Sequence, residues 1–380
     1  MKVKNKIWDN LPEGNALSGL ILIGCTIFSL LMSNFFVKQP YLDFWQTDIG
    51  GMSILTFIND VLMTIFFLIV GLEIKKELVV GELKSFKKAF LPFICAVGGM
   101  VVPALIYLIF NYDTAYFNGW GVPTATDIAF SIGILAILGS KIPSGLKVFL
   151  TALAIIDDLG AVLVIAIFYS QSISFIYLSL AIICTLVLFL VQKYLKFYNL
   201  IIWLIVGCAI WYFLHHSGIH ATIAGILVAI VTPINFKGEE PLDYLVGKIH
   251  NIVNYFVIPV FAIANTAILV EGDISAVLKS SISLGIIFGL FVGKPLGIMA
   301  LAFISTKLGL AHLPNKVSWN LVFGAAILAG IGFTMSLFVS FLAFTDSVSQ
   351  DIAKIAILIG SLLACITGYL FLKFSLKKIN

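Results

Sequence analysis

Asp157 and Asp158 stand side by side in the middle of an apolar run, VFLTALAIIDDLGAVLVIAIFY. A bilayer core about 30 Å thick takes about 20 apolar residues as a helix, so the pair falls near mid-membrane. There a carboxylate costs roughly 2.5–3.5 kcal/mol on insertion scales, which marks the pair as functional. Asp60, Asp127 and Lys294 also lie within apolar runs. Fully ionised, these four aspartates and one lysine carry a net charge of −3, an excess that a low-dielectric interior does not sustain. Some of the carboxylates must therefore bind protons or cations, and the two compete for the same oxygens. That competition is the physical core of cation/proton exchange.

Neighbouring residues on a helix point about 100° apart, so Asp157 and Asp158 cannot both face one partner. One leans toward Lys294, the intramembrane cation available to it, while the other faces a water-filled cavity. Hard carboxylate and hydroxyl oxygens suit Na+ or Li+, and Thr126, beside Asp127, is a candidate ligand. Each residue also has a purely structural alternative. Asp157 would neutralise Lys294 as an ion pair. Asp127 would cap the ends of a broken helix. Asp60 would face a polar vestibule as an accessory group. Glu73 and Glu77, with Lys75 and Lys76, form the charge pattern of a solvated helix end, with cation steering or pH sensing as the other reading. His220 titrates near neutral pH when unperturbed, yet a histidine at a helix start is commonly just hydrogen-bonded. His215 and His216 are expected at the outer surface, and His250 at the membrane interface.

The elements that must position these groups are apolar helices. The chain has 380 residues, 61% hydrophobic and 11% charged, far below the roughly 25% charge of soluble domains. An all-α polytopic membrane protein follows, in a single domain over 1–380. The net charge of +4 is too small and scattered for nucleic acid. All 23 basic residues are lysine, so the bidentate fork used for organic anions is missing. The five cysteines each fall in an apolar segment without metal-ligand spacing and read as free thiols. The first apolar run, from about Ala16 to Val37, is longer than a signal h-region and lacks a cleavage site, so it reads as a retained span.

Apolar runs of spanning length number twelve, at about 14–37, 54–74, 89–110, 119–138, 145–169, 174–192, 199–214, 218–233, 251–270, 282–306, 317–343 and 352–374. With both termini cytoplasmic, 19 of the 23 lysines fall on the inside and three outside, which obeys the positive-inside rule. The segment 39–53 mixes aromatic and polar residues and is expected to form an extracytoplasmic β-hairpin, a possible dimer contact. Spans 4 and 11 are interrupted. GWGVPTATDIAFSIGILAILG carries Pro123, two threonines and Asp127, and LVFGAAILAGIGFTMSLFV carries Gly324, Gly330 and Gly332. Matching interruptions in two halves suggest inverted-topology repeats, spans 3–5 (89–169) against spans 10–12 (282–374), around a midplane site. Glycine for close packing is the alternative for span 11.

The ordered segments FFLIVGLEIKKEL, TATDIAFSIGILAILGSKIP, FLTALAIIDDLGAVLVIAIFY, GIHATIAG, IPVFAIAN, VGKPLGI and GIGFTMS resemble the NhaA family of bacterial sodium/proton antiporters over nearly the whole chain. The resemblance implies twelve spans in the bacterial inner membrane, with broken spans 4 and 11 crossing. It implies that Asp157 and Asp158 bind Na+ or Li+ in competition with protons, with Thr126 as a ligand. Lys294 would pair with Asp157 and support the crossing alongside Asp127. It further implies electrogenic, pH-regulated exchange serving sodium and pH homeostasis, no cofactor, and a homodimer formed through the hairpin. Two departures stand out: Lys76 replaces an expected arginine, and Val246 and Gly247 replace an acidic residue and a histidine, leaving His250 of that group.

Two other functions compete. An intramembrane aspartyl protease would use Asp127 and Asp157 as a dyad sharing one proton, but no G-x-G-D sequence occurs and Lys294 would spoil the arrangement. A passive channel would need a ring of carbonyls or charges, and no repeated filter sequence is present.

Overall fold

The computed structural model describes residues 12–170, 172–270 and 274–377. Among these the regular structure is helical, the only β features being the isolated bridges Asp48–Ser53 and Phe236–Glu239. Lys2, Lys4, Lys6 and Lys378, part of the lysine asymmetry, lie outside the described residues.

In chain order the helices are α1 (Pro12–Leu31), α2 (Gln39–Gln46), α3 (Ile54–Val79), α4 (Phe86–Asn111), α5 (Ile128–Ile137), α6 (Ser144–Phe168) and α7 (Phe175–Tyr194). They continue with α8 (Leu200–Ser217), α9 (Ile223–Val231), α10 (Pro241–Asn265), α11 (Ser281–Lys307), α12 (Trp319–Ala329), α13 (Phe333–Ala343) and α14 (Ser347–Lys377). Ten helical stretches among the described residues are long and apolar enough to cross a membrane, and α12 with α13 makes an eleventh that is bent by 44°. The eighth apolar run differs from expectation. Its helix α9 has nine residues, about 14 Å at 1.5 Å per residue, well short of a bilayer core. It packs on α3 through glycines on both sides. A Cβ on Gly225 would lie 2.3 Å from Thr64 O, and one on Gly71 would lie 2.7 Å from Ala229 Cβ.

The β-hairpin expected over 39–53 is instead the helix α2, followed by a glycine turn closed by the Asp48–Ser53 bridge. Pro40 sits in the first turn, where its fixed φ is preorganised for a helix. Tyr41 and Trp45, four apart, then share one face, and the Tyr41 hydroxyl meets Ser29 Oγ at 3.0 Å. The aromatic spacing thus follows a helical period, not strand alternation. Helix α10 begins ten residues before its apolar run, at Pro241, because the polar stretch PLDYLVGKIHNI is itself helical. Outside the spans, the Ser349 N–H donates to the Asp346 carboxylate at 2.7 Å, an N-cap for α14 that holds this exposed carboxyl below its ordinary range.

Both interrupted spans are broken. Span 4 is a 3-10 turn, Phe117–Thr124, then extended backbone at Ala125 and Asp127, then α5. Pro123 denies this stretch a regular α-helical ladder. Span 11 breaks between Ala329 and Phe333, at Gly330-Ile331-Gly332. Around these breaks α4 packs against α11 at backbone distance: a Cβ on Gly297 would lie 2.0 Å from Gly98 O, and one on Gly98 would lie 2.2 Å from Gly297 O. A π-turn, Gly289–Gly293, immediately precedes Lys294 and sets the direction of its side chain. Such turns recur at functional sites, and another, Ile58–Leu62, holds Asp60.

Candidate functional site: an ion site at the crossing of two broken helices

Where spans 4 and 11 cross, the residues at their breaks bond to each other. Asp127 N–H donates to Ile331 O at 2.7 Å, and the Thr126 hydroxyl lies 3.0 Å from Ala329 O. These are carbonyls at the end of α12, which a helix terminus leaves without intrahelical partners. Asp127 also caps α5, accepting the Phe130 N–H at 2.9 Å on Oδ1. Its Oδ2 accepts both the Thr334 N–H at 3.1 Å and the Thr334 hydroxyl at 2.5 Å. One carboxylate therefore serves the N-terminal ends of α5 and α13, where helix dipoles favour negative charge. The capping role open to Asp127 from the sequence is the one its geometry supports.

Helix α6 brings Asp157 to the same place. Its Oδ2 receives the Thr126 hydroxyl at 2.7 Å and Lys294 Nζ at 2.8 Å, and Lys294 also contacts the Thr126 hydroxyl. The side chains of Asp157 and Lys294 are both fully buried. Asp158 is equally buried and differently supplied. Its Oδ1 has no hydrogen-bond partner among the described residues, and neither does Oδ1 of Asp157. Asp157, Asp127, Lys294 and Glu73 all act electrostatically on Asp158. Charge bookkeeping then isolates it. Lys294 offsets Asp157, and helix ends with hydroxyl and amide donors stabilise Asp127. Asp158 has no ion pair or hydrogen bond of its own among the described residues, so a proton or a cation must complete its compensation. Each aspartate of the pair thus keeps one buried carboxylate oxygen, Oδ1, without a hydrogen-bond partner among the described residues. Asp127 and Asp157 each have their own partners, so the shared-proton dyad of an aspartyl protease is not assembled.

A cavity of about 630 Å³ has Glu73, Lys76, Glu77, Lys147, His250 and Asn254 among the residues that line it. Its wall includes Ile128 and Ala129, beside Asp127, and Ile155, one helical turn from Asp158. The charged run from Glu73 to Glu77 is more engaged than a solvated helix end. Lys75 Nζ donates to Ile230 O at 2.6 Å and to Thr232 O, capping α9. Lys76 pairs with Asp243 at 2.5 Å and Glu73 with His250 at 3.4 Å. Asp243 lies one turn before Val246 on α10, so an acidic group is present near that site after all.

Asp60 and His220 are brought together away from the crossing. His220 Nε2 lies 3.5 Å from Asp60 Oδ1, and His215 Nδ1 lies 3.6 Å from Asp60 Oδ2. The ring of Phe338 packs 5.3 Å from the His220 ring and 5.5 Å from the Phe67 ring. Sequence reasoning did not single out Thr334, Ser131, Ser336 or Asp243. The segments GIGFTMS and TATDIAFSIG were the available signals for Thr334, Ser336 and Ser131; nothing local marked Asp243.

The sequence profile described as Na+/H+ antiporter 1 matches residues 10–372. A Na(+)/H(+) antiporter NhaA of Cytophaga hutchinsonii is 47% identical over 381 residues, covering 100% of this chain and 97% of the relative. The NhaA 1 protein of Flavobacterium johnsoniae is 47% identical over 365 residues, covering 96% of both chains. The NhaA protein of Pelagibacter ubique is 47% identical over 376 residues, again covering 96% of both. With the broken helices, the aspartate pair and its lysine at one crossing, this likeness over the full length means that the chain belongs to the Na+/H+ antiporter 1 family.

Proposed function

We propose that the chain is a secondary transporter, not an enzyme, that exports Na+ in exchange for inward H+. The observation that carries this reading is the asymmetry of the aspartate pair. Asp157 is paired with Lys294 and hydrogen-bonded, whereas Asp158 is buried without an ion pair of its own and with a free oxygen. Such a group exchanges one small cation for a proton. Asp158 is the principal carrier, Asp157 and Thr126 complete the ion's shell, Lys294 is the charge-compensating residue, and Asp127 holds the crossing. Li+ shares the site, K+ does not, and more than one H+ enters per Na+. Glu73, Glu77 and His250, which line the cavity, and Asp60 with His220 act as accessory and pH-responsive groups.

The same reading gives twelve passes through a bacterial inner membrane, with α9 and its flanking turns as the eighth pass and both termini cytoplasmic. It makes spans 3–5 and 10–12 inverted repeats. The Gly98–Gly297 contact between α4 and α11 and the paired breaks in spans 4 and 11 support that symmetry. A homodimer with its contact near 39–53 completes the arrangement.

The test uses inverted membrane vesicles carrying an imposed pH gradient. NaCl or LiCl is expected to collapse the gradient, KCl to leave it, and Asp157→Asn or Asp158→Asn to abolish the response. Absence of cation-dependent proton movement across a broad pH range would sink the proposal.

A further inference from the structure

The crossing contains two serines whose hydroxyls bond across it in opposite directions. Ser131 stands four residues after Asp127 and Ser336 four residues after Gly332, so each lies in the first turn following its break. Ser131 Oγ donates to Leu328 O at 2.9 Å, in the last turn of α12. Ser336 Oγ donates to Val122 O at 2.7 Å, at the end of the 3-10 turn that opens span 4. Both serines are fully buried. Each post-break half-helix thus grips the terminal carbonyls of the other span's pre-break half. Within a helix, serine commonly spends its hydroxyl on its own backbone one turn back. Ser340 does so, donating to Leu337 O at 2.8 Å. Ser131 and Ser336 reach into the other span instead.

The carbonyl that Ser131 holds is adjacent to the one that Thr126 uses. Leu328 O receives Ser131, and Ala329 O lies 3.0 Å from the Thr126 hydroxyl, which contacts Asp157 and Lys294. On the other side, Ser336 lies two residues beyond Thr334, whose N–H and hydroxyl hold Asp127. Gly332 is what lets the Ser336 hydroxyl reach: a Cβ there would lie 2.1 Å from Ser336 Oγ.

We propose that Ser131 and Ser336 are reciprocal latches, positioning residues that fix the register of the two broken spans and so the direction in which Thr126 presents its oxygen to the ion. The latches touch neither the ion nor the aspartates; they act through backbone carbonyls. The inference rests on the ion site proposed above. Removing one hydroxyl loosens the register by about one net hydrogen bond. That corresponds to an about three- to tenfold weaker grip on the cation.

Sodium titrations of proton movement in inverted vesicles, at fixed pH and equal protein in the membrane, read this out. Ser131→Ala and Ser336→Ala are each expected to raise half-saturating Na+ about three- to tenfold, with the maximal rate within about twofold of the parent. Ser340→Ala removes an equally buried hydroxyl that bonds within its own helix, and is expected to change neither quantity. If one latch variant fails to accumulate, the other carries the same test. Unchanged half-saturation in the latch variants, a fall in maximal rate alone, or an equal rise in Ser340→Ala overturns the latches. Asp158→Asn separates the two readings: Na+-dependent proton movement surviving in that variant removes the ion site itself, whatever the serines do.

Discussion

Helices α6 and α7 follow one another in the chain and have nearly the same mean hydropathy, 2.3 and 2.5 over their most apolar stretch, yet 67% of that stretch is buried in α6 and 11% in α7. Hydropathy reports that both are immersed in an apolar medium; it does not say whether that medium is protein or lipid. The difference lies in what the neighbours supply. Helix α6 faces broken helices, whose loose carbonyls, amides and hydroxyls pair with polar groups, and it carries Asp157 and Asp158. Helix α7 turns Phe175, Ile176, Ile183 and Leu186 outward. It packs by Ala181 and Leu188 against Trp203 and Ile210 of α8, in a small apolar cluster of its own. A carboxylate in the middle of α7 would find only hydrocarbon.

That contrast can be broken from the α6 side first. Asp157→Asn leaves Lys294 buried without its counter-charge and is expected to cost about 3–5 kcal/mol, seen as a clear fall in the thermal midpoint of the purified protein. Replacing both partners, Asp157→Asn with Lys294→Met, is expected to recover part of that loss, since no charge is then stranded. Leu186→Ala in α7 is expected to stay within about 0.5 kcal/mol. A double variant less stable than Asp157→Asn would contradict the pairing.

Glycines sharpen the same comparison at a smaller scale. Gly297→Ala places a methyl 2.0 Å from Gly98 O, so α4 and α11 must part. A cost of about 1–3 kcal/mol is expected, as for other overpacked cores. A Cβ on Gly24 of α1 meets nothing within 4 Å, and Gly24→Ala is expected to be neutral or slightly stabilising by thermal unfolding. Equal effects at the two positions would mean that close backbone approach is not what the α4–α11 glycines provide.

Much of this site was legible in the sequence because carboxylates, a lysine and a proline inside apolar runs are locally anomalous. Asp157, Asp158, Asp127, Lys294 and Thr126 could be named on that ground, and the breaks in spans 4 and 11 followed from Pro123 and the clustered glycines. Apart from Lys294 for Asp157, their partners could not. Thr334 and Asp127 are separated by 207 residues and Ser131 and Leu328 by 197, and a threonine or serine in an apolar helix looks ordinary until the partner carbonyl or carboxylate is known. The same holds for His215, which is exposed as expected but also lies 3.6 Å from Asp60. Run-counting also misread length. It treated 218–233 as a full span although the chain turns before Ile223, and it missed the polar first half of α10. The 39–53 segment failed for a different reason, since a short aromatic-polar pattern fits both a strand and a one-sided helix.

The central claim is that Asp158 trades a proton for a sodium ion while its neighbour is committed to Lys294. Calorimetric titration of the purified protein with NaCl, repeated in buffers of different ionisation enthalpy, counts the protons released as the ion binds. The parent protein is expected to release about one proton or more per Na+ bound, and Asp158→Asn to give no sodium heat. Sodium binding with unchanged affinity and proton release in Asp158→Asn would contradict the account.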